Sequence, residues 1–560
     1  MLGLRTALAI LLIALGAAMA GGGAYLIWLG GSFYYAIAGS TLIVASILIW
    51  RDKAAGALLY WAFFLCTIIW ALWEVGSNPW ALLPRLTIFA LFGLILLPRM
   101  MRTRRPIMIA AGVVGALGIS VGIGLGLHAI SPNRLVDPAF DRGIATARAP
   151  VAAPGFDGDW LHYGGDSGGQ RFSALTQINP DNVASLAPAW EYRVGPGADG
   201  LYGNIEATPL QVGNRLFFCT SYNDVIALNA ESGKEEWRFR SGIDRKGFPY
   251  GQCRGVAYYK VPDATGACAE RIITNTIDAR LLALDARTGQ ACRDFGVQGE
   301  TSLLTGLGQV DRGYYFVTSA PTIVRGKIVL GGWVADGQYW GEPSGVIRGY
   351  DAVTGRFAWA FDIGRPDRQT EPPPGESYTR ATPNSWAPMS ADETLGLVYA
   401  PTGNATPDYY GAQRRPFDDR YSSSVVAIDA ETGKVRWSFQ TIHHDIWDHD
   451  VASQPVLTDI PTADGVRKAV IQATKRGELF VLDRVTGRPL ADVVERPVPQ
   501  RGAAPGERVS PTQPFSVGVP SLAGPDLTES MMWASRRSTS YGAGSCSRGR
   551  AMTANSRRRA

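Results

Sequence analysis

Two kinds of apolar pattern divide this chain. From residue 6 to residue 130 the apolar runs are long, at about 6–28, 34–50, 54–74, 79–98 and 107–130. A helix needs roughly 20 residues to cross a hydrocarbon core, so each run is long enough or nearly so. Five membrane spans are expected. Beyond residue 154 the apolar runs shorten and recur with one signature: two apolar residues, Ala or a relative, any residue, Asp or Asn, two more, Thr or Ser, Gly, three more, Trp. It reads VIALNAESGKEEW at Val225–Trp237, LLALDARTGQACR at Leu281–Arg293, VIRGYDAVTGRFAW at Val346–Trp359, VVAIDAETGKVRW at Val425–Trp437 and LFVLDRVTGRPLA at Leu479–Ala491. Each copy predicts a β-hairpin whose glycine supplies the positive φ of a tight turn. The turn glycines Gly233, Gly289, Gly355, Gly433 and Gly487 are spaced by 56, 66, 78 and 54 residues. That is room for about four short strands per period, the size of a propeller blade. So small a unit cannot bury its faces alone, and successive units must stack around an axis. Trp237, Trp359 and Trp437 are expected to wedge between neighbouring blades.

Charge orients the first part. Arg5, the Arg51 and Lys53 pair, and Arg99, Arg102, Arg104 and Arg105 fall on one side of the five runs, whereas the loops near Gly30 and Ser77 carry no basic residue. The amino terminus is therefore expected in the cytoplasm and everything after Ile130 outside it. A cleaved signal peptide ending at Ala18-Met19-Ala20 is the alternative for the first run, but the run continues past that point and four more follow. Arg85 and Glu74 lie near span ends and are expected to snorkel to the interface. Residues 131–154, rich in Pro, Ala and Arg, read as a linker. Whole-chain averages, a mean hydropathy of 0.00 and a net charge of +5, blend these regions and describe neither.

Chemistry gathers just after the fourth hairpin. Three of the five histidines, His443, His444 and His449, and three carboxylates, Asp445, Asp448 and Asp450, lie within eight residues. So polar a run after a strand belongs in a loop facing a cavity. The histidine spacing fits no standard zinc motif. No Cys-x-x-Cys-His haem attachment occurs, and the glycines at 122, 124 and 126 lie inside an apolar run, not in a phosphate loop, so covalent haem, nicotinamide and flavin lose support. Cys219, Cys253, Cys268 and Cys292 fall in the exported part, where disulfides are permitted and three pairings are open. Cys253 with Cys268 closes the shortest loop and is the pairing expected. No nucleic-acid partner is expected.

The hairpin repeats, the opening GGDSGGQRFSALTQINPDNV, the segments Gly345-Val-Ile-Arg-Gly-Tyr-Asp, Pro383-Asn-Ser-Trp-Ala-Pro and Thr402-Gly-Asn-Ala-Thr-Pro-Asp, and HHDIWDHD together resemble the quinoprotein dehydrogenases that use pyrroloquinoline quinone (PQQ). With five leading spans the chain is most similar to their membrane-bound glucose, quinate and shikimate branch. The resemblance covers residues 1 to about 533. It implies a five-helix anchor (1–130) in the bacterial inner membrane and, over 155–533, an eight-bladed propeller in the periplasm. On its axis would lie PQQ and a divalent metal, Ca²⁺ or Mg²⁺. The reaction implied is oxidation of a sugar or cyclic polyol with electrons passed to ubiquinone. Asp448 matches the family's base, and partial desolvation by Trp447 would suit its pKa to that task. Lys475 matches the lysine that contacts the quinone oxygens, and Trp386 the aromatic that stacks on the cofactor. Arg348, in the Gly-Val-Ile-Arg-Gly segment, is taken as a further cofactor contact. Asn404 stands where related alcohol dehydrogenases place a metal ligand, and Asp336 or Glu342 supplies the acidic one.

Two departures stand out. The glucose enzymes carry a histidine three residues before Cys-Arg-Gly, where this chain has Tyr250. An aromatic ring can still stack there, but its hydrogen bonds differ, which favours quinate, shikimate or another polyol over glucose. After Met531-Met532-Trp533, residues 534–560 form a basic tail with no strand-like alternation. A frameshifted or prematurely ended reading frame is expected, with a propeller incomplete in this chain and a weak or inactive protein.

Overall fold

The computed structural model describes residues 2–28, 32–75, 79–101 and 158–523, apart from 198, 201–202, 250, 337–340, 463–464 and 501–502. The expected fifth span, the linker, the basic tail and Tyr250 lie outside the described residues. The chain divides into two compact units, one holding the described residues up to 101 and the other those from 158.

The first unit is four helices, α1 (Leu2–Trp28), α2 (Tyr34–Trp50), α3 (Ala54–Val75) and α4 (Pro79–Met101). Two segments, Thr6–Trp28 and Ala54–Glu74, are long and apolar enough to cross a membrane, and Tyr34–Trp50 and Arg85–Leu96 are shorter apolar stretches. Helices α1 and α2 approach so closely that a Cβ on Gly39 would lie 2.4 Å from the Ala20 nitrogen. Only a residue without a side chain permits that contact. The outward faces are apolar too, with Leu11, Ile37, Ile69 and Trp73 exposed. Arg85 and Glu74 do not snorkel apart. Arg85 Nε donates to Glu74 Oε2 at 2.9 Å, with the side chains only 7% and 13% exposed. Two charges among apolar helices are less costly paired than separate, and α3 and α4 bring them together.

The second unit is built from antiparallel sheets in chain order. Blade 1 runs Leu210–Val212, Arg215–Cys219, Val225–Asn229, Glu235–Phe239; blade 2 Ala257–Lys260, Glu270–Asn275, Arg280–Asp285, Glu300–Ser302. Blade 3 is Thr322–Val324, Lys327–Leu330, Ile347–Asp351, Phe357–Phe361, and blade 4 Ser390–Asp392, Leu397–Pro401, Ser424–Asp429, Val435–Gln440. Blade 5 has three strands among the described residues, Val456–Thr462, Gly465–Ala473 and Leu479–Asp483, followed by a hairpin of Val493–Pro497 with Thr512–Ser516.

The repeat signature has a local cause. In blade 4, Asp429 Oδ1 accepts from the backbone N–H groups of Glu431 and Thr432 and from the Thr432 hydroxyl, closing the turn before Gly433 reverses the chain at φ 72°. Asp285, Asp351 and Asp483 do the same in their turns. The tryptophan then packs on the next blade's turn. Trp359 Nε1 donates to Ala430 O at 2.7 Å with its ring against Gly433, Trp437 meets Arg484 O and Gly487, and Trp237 meets Ala286 O and Gly289. Trp190, outside any repeat, serves blade 1 in the same way through Ala230 O and Gly233. The second copy, which has Arg293 where the first, third and fourth have Trp, sends Phe295 against Gly355 instead. Since Trp359 is 1% exposed, Trp359→Ala is expected to destabilise the propeller unit by about 3–5 kcal/mol. Chemical denaturation checks this, and a loss under about 1 kcal/mol would contradict the wedge role.

The disulfides are Cys219–Cys253 and Cys268–Cys292. The expected Cys253–Cys268 pairing is therefore corrected. The first strand of blade 2 runs between those two residues and carries Cys268 away from Cys253, whereas Cys219 ends a strand of blade 1 and the loop bearing Cys253 returns beside it. Proximity along the chain misled because an extended strand separates its ends. The opening motif joins the first strands of blades 1, 4 and 5. Trp160 pairs with Gln211 on the first strand of blade 1, while Ser167 O and Gly168 O accept from the N–H groups of Ala391 and Leu457 at blades 4 and 5.

Candidate active site

Five loops bring the candidate residues together: Pro383–Trp386 before blade 4, Thr402–Asp408 within it, Thr441–Asp450 after it, Ala473–Glu478 within blade 5, and the turn at Asp336. Asp448, at φ 57°, sits in a loop clamped by the fully buried Asp445. Asp445 accepts from Ser423 Oγ at 2.6 Å, Trp447 N at 2.9 Å and His449 N at 2.8 Å. Burial alone would raise the Asp445 pKa, but His449 and these hydrogen bonds hold it below the usual carboxylate value.

The centre of the arrangement is Asp450, which sequence reasoning left without a role. Its Oδ2 accepts from Lys475 Nζ at 2.9 Å and from Trp386 Nε1 at 3.3 Å, and its Oδ1 from Asn404 N at 2.5 Å. One buried carboxylate thus ties together three of the residues proposed for cofactor and metal. Lys475 also donates to Asp448 O at 2.9 Å and pairs with the Asp448 carboxylate at 3.3 Å. Beside Trp386, the Arg254 guanidinium lies 5.3 Å from the ring centroid and donates to the Thr318 hydroxyl. Arg254 belongs to the Cys-Arg-Gly segment and is held there by the Cys219–Cys253 bridge. Its position could not be read from spacing.

Around this centre negative charge exceeds positive. Burial, then Asp450, Glu342 and Asp448, push Asp336 up to about 7. Burial, then Asp336, Asp448 and Asp450, push Asp408 up to about 8. Asp448 is pushed up to about 6 by burial and Asp450, against the pull of Lys475. Lys475 is held above its ordinary value, despite burial, by Asp450 and Asp448. Asp408 is the second residue missed. It ends the Thr-Gly-Asn-Ala-Thr-Pro-Asp segment, and only the fold shows that it turns inward.

Oxygen donors suited to a hard cation are present. Asp408 Oδ1 and Asn384 Oδ1 are buried without a hydrogen-bond partner, and Asn384 Nδ2 donates to Asp336 Oδ2 at 3.2 Å. Such orphaned oxygens are what Ca²⁺ or Mg²⁺ takes. Asn404 Oδ1 by contrast already accepts from Ala405 N and Ser422 Oγ. Among the described residues no three carboxylates of this group bring oxygens within 4.8 Å of one another, so they are not a closed ligand set. Glu342 is fully buried on its edge.

Arg348 is not brought to this group. It is buried in blade 3, donating to Leu303 O, Thr305 O and Tyr315 Oη beneath the rings of Tyr315, Tyr350 and Tyr378. Its strand position turns its side chain into the core, where it ties blade 3 to blade 2. The three histidines do not converge either: His443 meets Gln440 and Glu495, His444 meets Asp419, and His449 meets Asp445.

The raised carboxylates make stability depend on pH. A carboxyl whose folded pKa exceeds its unfolded value favours folding while protonated, and this contribution is lost as pH rises through the folded value. For Asp336 and Asp408 the loss falls between about pH 4 and pH 8. Added Ca²⁺ or Mg²⁺ is therefore expected to raise the melting temperature more at about pH 8.5 than at about pH 5.5. Equal increments in thermal melts at the two pH values would show that these carboxylates do not hold the ion.

The fold and site define the class. The family described as "PQQ: Glucose/ethanol/alcohol dehydrogenase, beta-propeller domain" matches residues 160–548, and the chain belongs to this family of PQQ-dependent quinoprotein dehydrogenases. It is 41% identical over 539 residues to the quinate/shikimate dehydrogenase (quinone) of Acinetobacter baylyi, covering 91% of this chain and 66% of that protein. It is also 41% identical over 530 residues to the quinoprotein glucose dehydrogenase of Escherichia coli, again 91% and 66%. The chain thus spans slightly less than two thirds of the length of either relative. Among solved structures, the quinohemoprotein alcohol dehydrogenase from Comamonas testosteroni is similar with a TM-score of 0.50 and 29% identity, over 69% of this chain and 54% of that one.

Proposed function

We propose that this chain is a membrane-anchored PQQ-dependent dehydrogenase that oxidises glucose or a related cyclic polyol, such as quinate or shikimate, in the periplasm and passes the electrons to ubiquinone. The observation that carries this reading is the convergence of Lys475, Trp386 and Asn404 on Asp450 beside a carboxylate, Asp448, raised towards neutrality. The apolar faces of α1–α4 support the membrane anchor, and the basic residues on one side of the spans support export of the propeller unit.

Trp386 would offer its ring to the flat cofactor, and Lys475 and Arg254 would meet its anionic groups. Asp336, Asp408 and Asn384, with Glu342 and Asn404 at the edge, would surround Ca²⁺ or Mg²⁺. Bound PQQ supplies a two-electron acceptor for the hydride leaving the substrate carbon. The chain's own part is to place the substrate hydroxyl against Asp448 and take its proton there. A carboxylate pushed up to about 6 is charged at neutral pH yet basic enough for that transfer. Lys475 then steadies the negative charge that gathers nearby as the reaction proceeds.

The test is reconstitution of the full chain in detergent or membranes with PQQ and Ca²⁺ or Mg²⁺, read by PQQ binding and by dye reduction over a panel of sugars and polyols. Saturable PQQ binding is expected, with turnover of a cyclic polyol that is weak in this chain. Absence of PQQ binding would refute the proposal.

A further inference from the structure

Three aromatic side chains are exposed among the described residues of the propeller unit: Phe172, Tyr409 and Trp447. Two of the three stand at the candidate active site. Trp447 immediately precedes Asp448 and is 39% exposed, while its neighbour Ile446 is buried. Tyr409 immediately follows Asp408 and is 68% exposed, while Asp408 is buried.

Their two loops touch. A Cβ on Gly411 would lie 2.4 Å from His444 Nε2 and 3.1 Å from Ile446 Cγ2, so the turn carrying Tyr409 rests on the turn carrying Trp447. Both backbones are pinned from behind. Asn404 Nδ2 donates to Asp408 O at 2.8 Å, Gly411 N donates to Glu507 at 3.1 Å, and Tyr410 Oη reaches Pro505 O. On the other side Trp447 N donates to Asp445. At 68% and 39% exposed, Tyr409 and Trp447 keep part of their ring area in water on these turns, where the apolar face of a substrate can cover it.

We propose that Tyr409 and Trp447 form an aromatic mouth that selects ring-shaped polyols, stacking on their C–H faces while one ring hydroxyl reaches Asp448. This rests on the dehydrogenase reading above. A pyranose or cyclohexane polyol keeps its hydroxyls round the rim and offers a fixed C–H face, which an aromatic ring covers at small entropic cost. A linear polyol has no fixed face. The mouth therefore adds affinity for cyclic substrates and almost none for linear ones.

The test uses the full chain loaded with PQQ and Ca²⁺, comparing quinate and glucose with glycerol. Tyr409→Ala is expected to raise KM for the cyclic substrates roughly tenfold and for glycerol less than about twofold, and Trp447→Ala to shift the two KM values in the same ratio while lowering kcat on every substrate alike, because Trp447 also shields Asp448. Tyr409→Phe, which keeps the ring, is expected to keep the cyclic preference. Equal rises in KM on cyclic and linear substrates, or no rise on either, would overturn the proposal.

A second measurement needs no turnover. Saturation-transfer NMR on the same protein is expected to show transfer to quinate or glucose ring protons, weakened in both alanine variants, and little transfer to glycerol. Ring transfer absent in the parent protein, or unchanged in the variants, also overturns it. If the parent binds the ring in this way but oxidises nothing, the dehydrogenase reading fails and the aromatic mouth stands.

Discussion

Asp448→Asn is expected to lower turnover of the PQQ-loaded protein by about 10²–10⁴-fold with little change in folding or in cofactor retention. The substitution removes the proton acceptor and little else. Asp448 sits at φ 57°, a conformation that asparagine also tolerates, and its loop is held by Asp445 and not by its own side chain. Lys475 keeps its stronger contact with Asp450. In the parent protein the same group sets the acid side of the pH profile. Activity needs the carboxylate ionised, so kcat/KM is expected to fall as pH drops through about 6. Steady-state kinetics across pH, with PQQ binding as the control, checks both. Turnover within twofold of the parent would remove Asp448 from the reaction.

Asp450→Ala is expected to weaken PQQ binding by on the order of 10²-fold while costing less in overall stability. Three donors lose their acceptor at once: Lys475 Nζ, Trp386 Nε1 and the Asn404 backbone N–H. Each buried donor left unmatched costs about 1–3 kcal/mol. Lys475 is a third exposed and regains water, so its share is smaller. Against this, removing one negative charge relieves the repulsion among Asp336, Asp408 and Asp448. The repulsion acts on the empty protein, whereas the lost donors position the surfaces that meet the cofactor. Binding therefore suffers more than folding. With Asp450 gone, the Asp448 pKa falls and the acid side of the pH profile moves to lower pH. Fluorescence titration with PQQ beside a thermal melt tests the division. A variant that binds PQQ normally would show that Trp386 and Lys475 hold their places without Asp450.

Much of the architecture was legible because it is local. The Asp or Asn of each repeat closes its own turn, the glycine reverses the chain, and in three copies a tryptophan follows four residues after the glycine, so strand pairing and blade size follow from spacing. The same reasoning failed where a contact depends on distant partners. Trp190 does a repeat tryptophan's work without a repeat around it, and Phe295 replaces the tryptophan missing from the second copy. Arg348 lies in a recognisable segment, yet its alternation in the strand points it into the core.

The sequence by itself determined the apolar helices, the period of the blades and the loop that carries Asp448, since each is written in residues adjacent along the chain. Only the tertiary structure decided which cysteines join, that Arg85 meets Glu74, and that Asp450 and Asp408 belong with Lys475 and Trp386. Those outcomes depend on where strands and helices carry residues in space. They depend too on burial, which turns ordinary carboxylates into a repelling group that one lysine cannot neutralise.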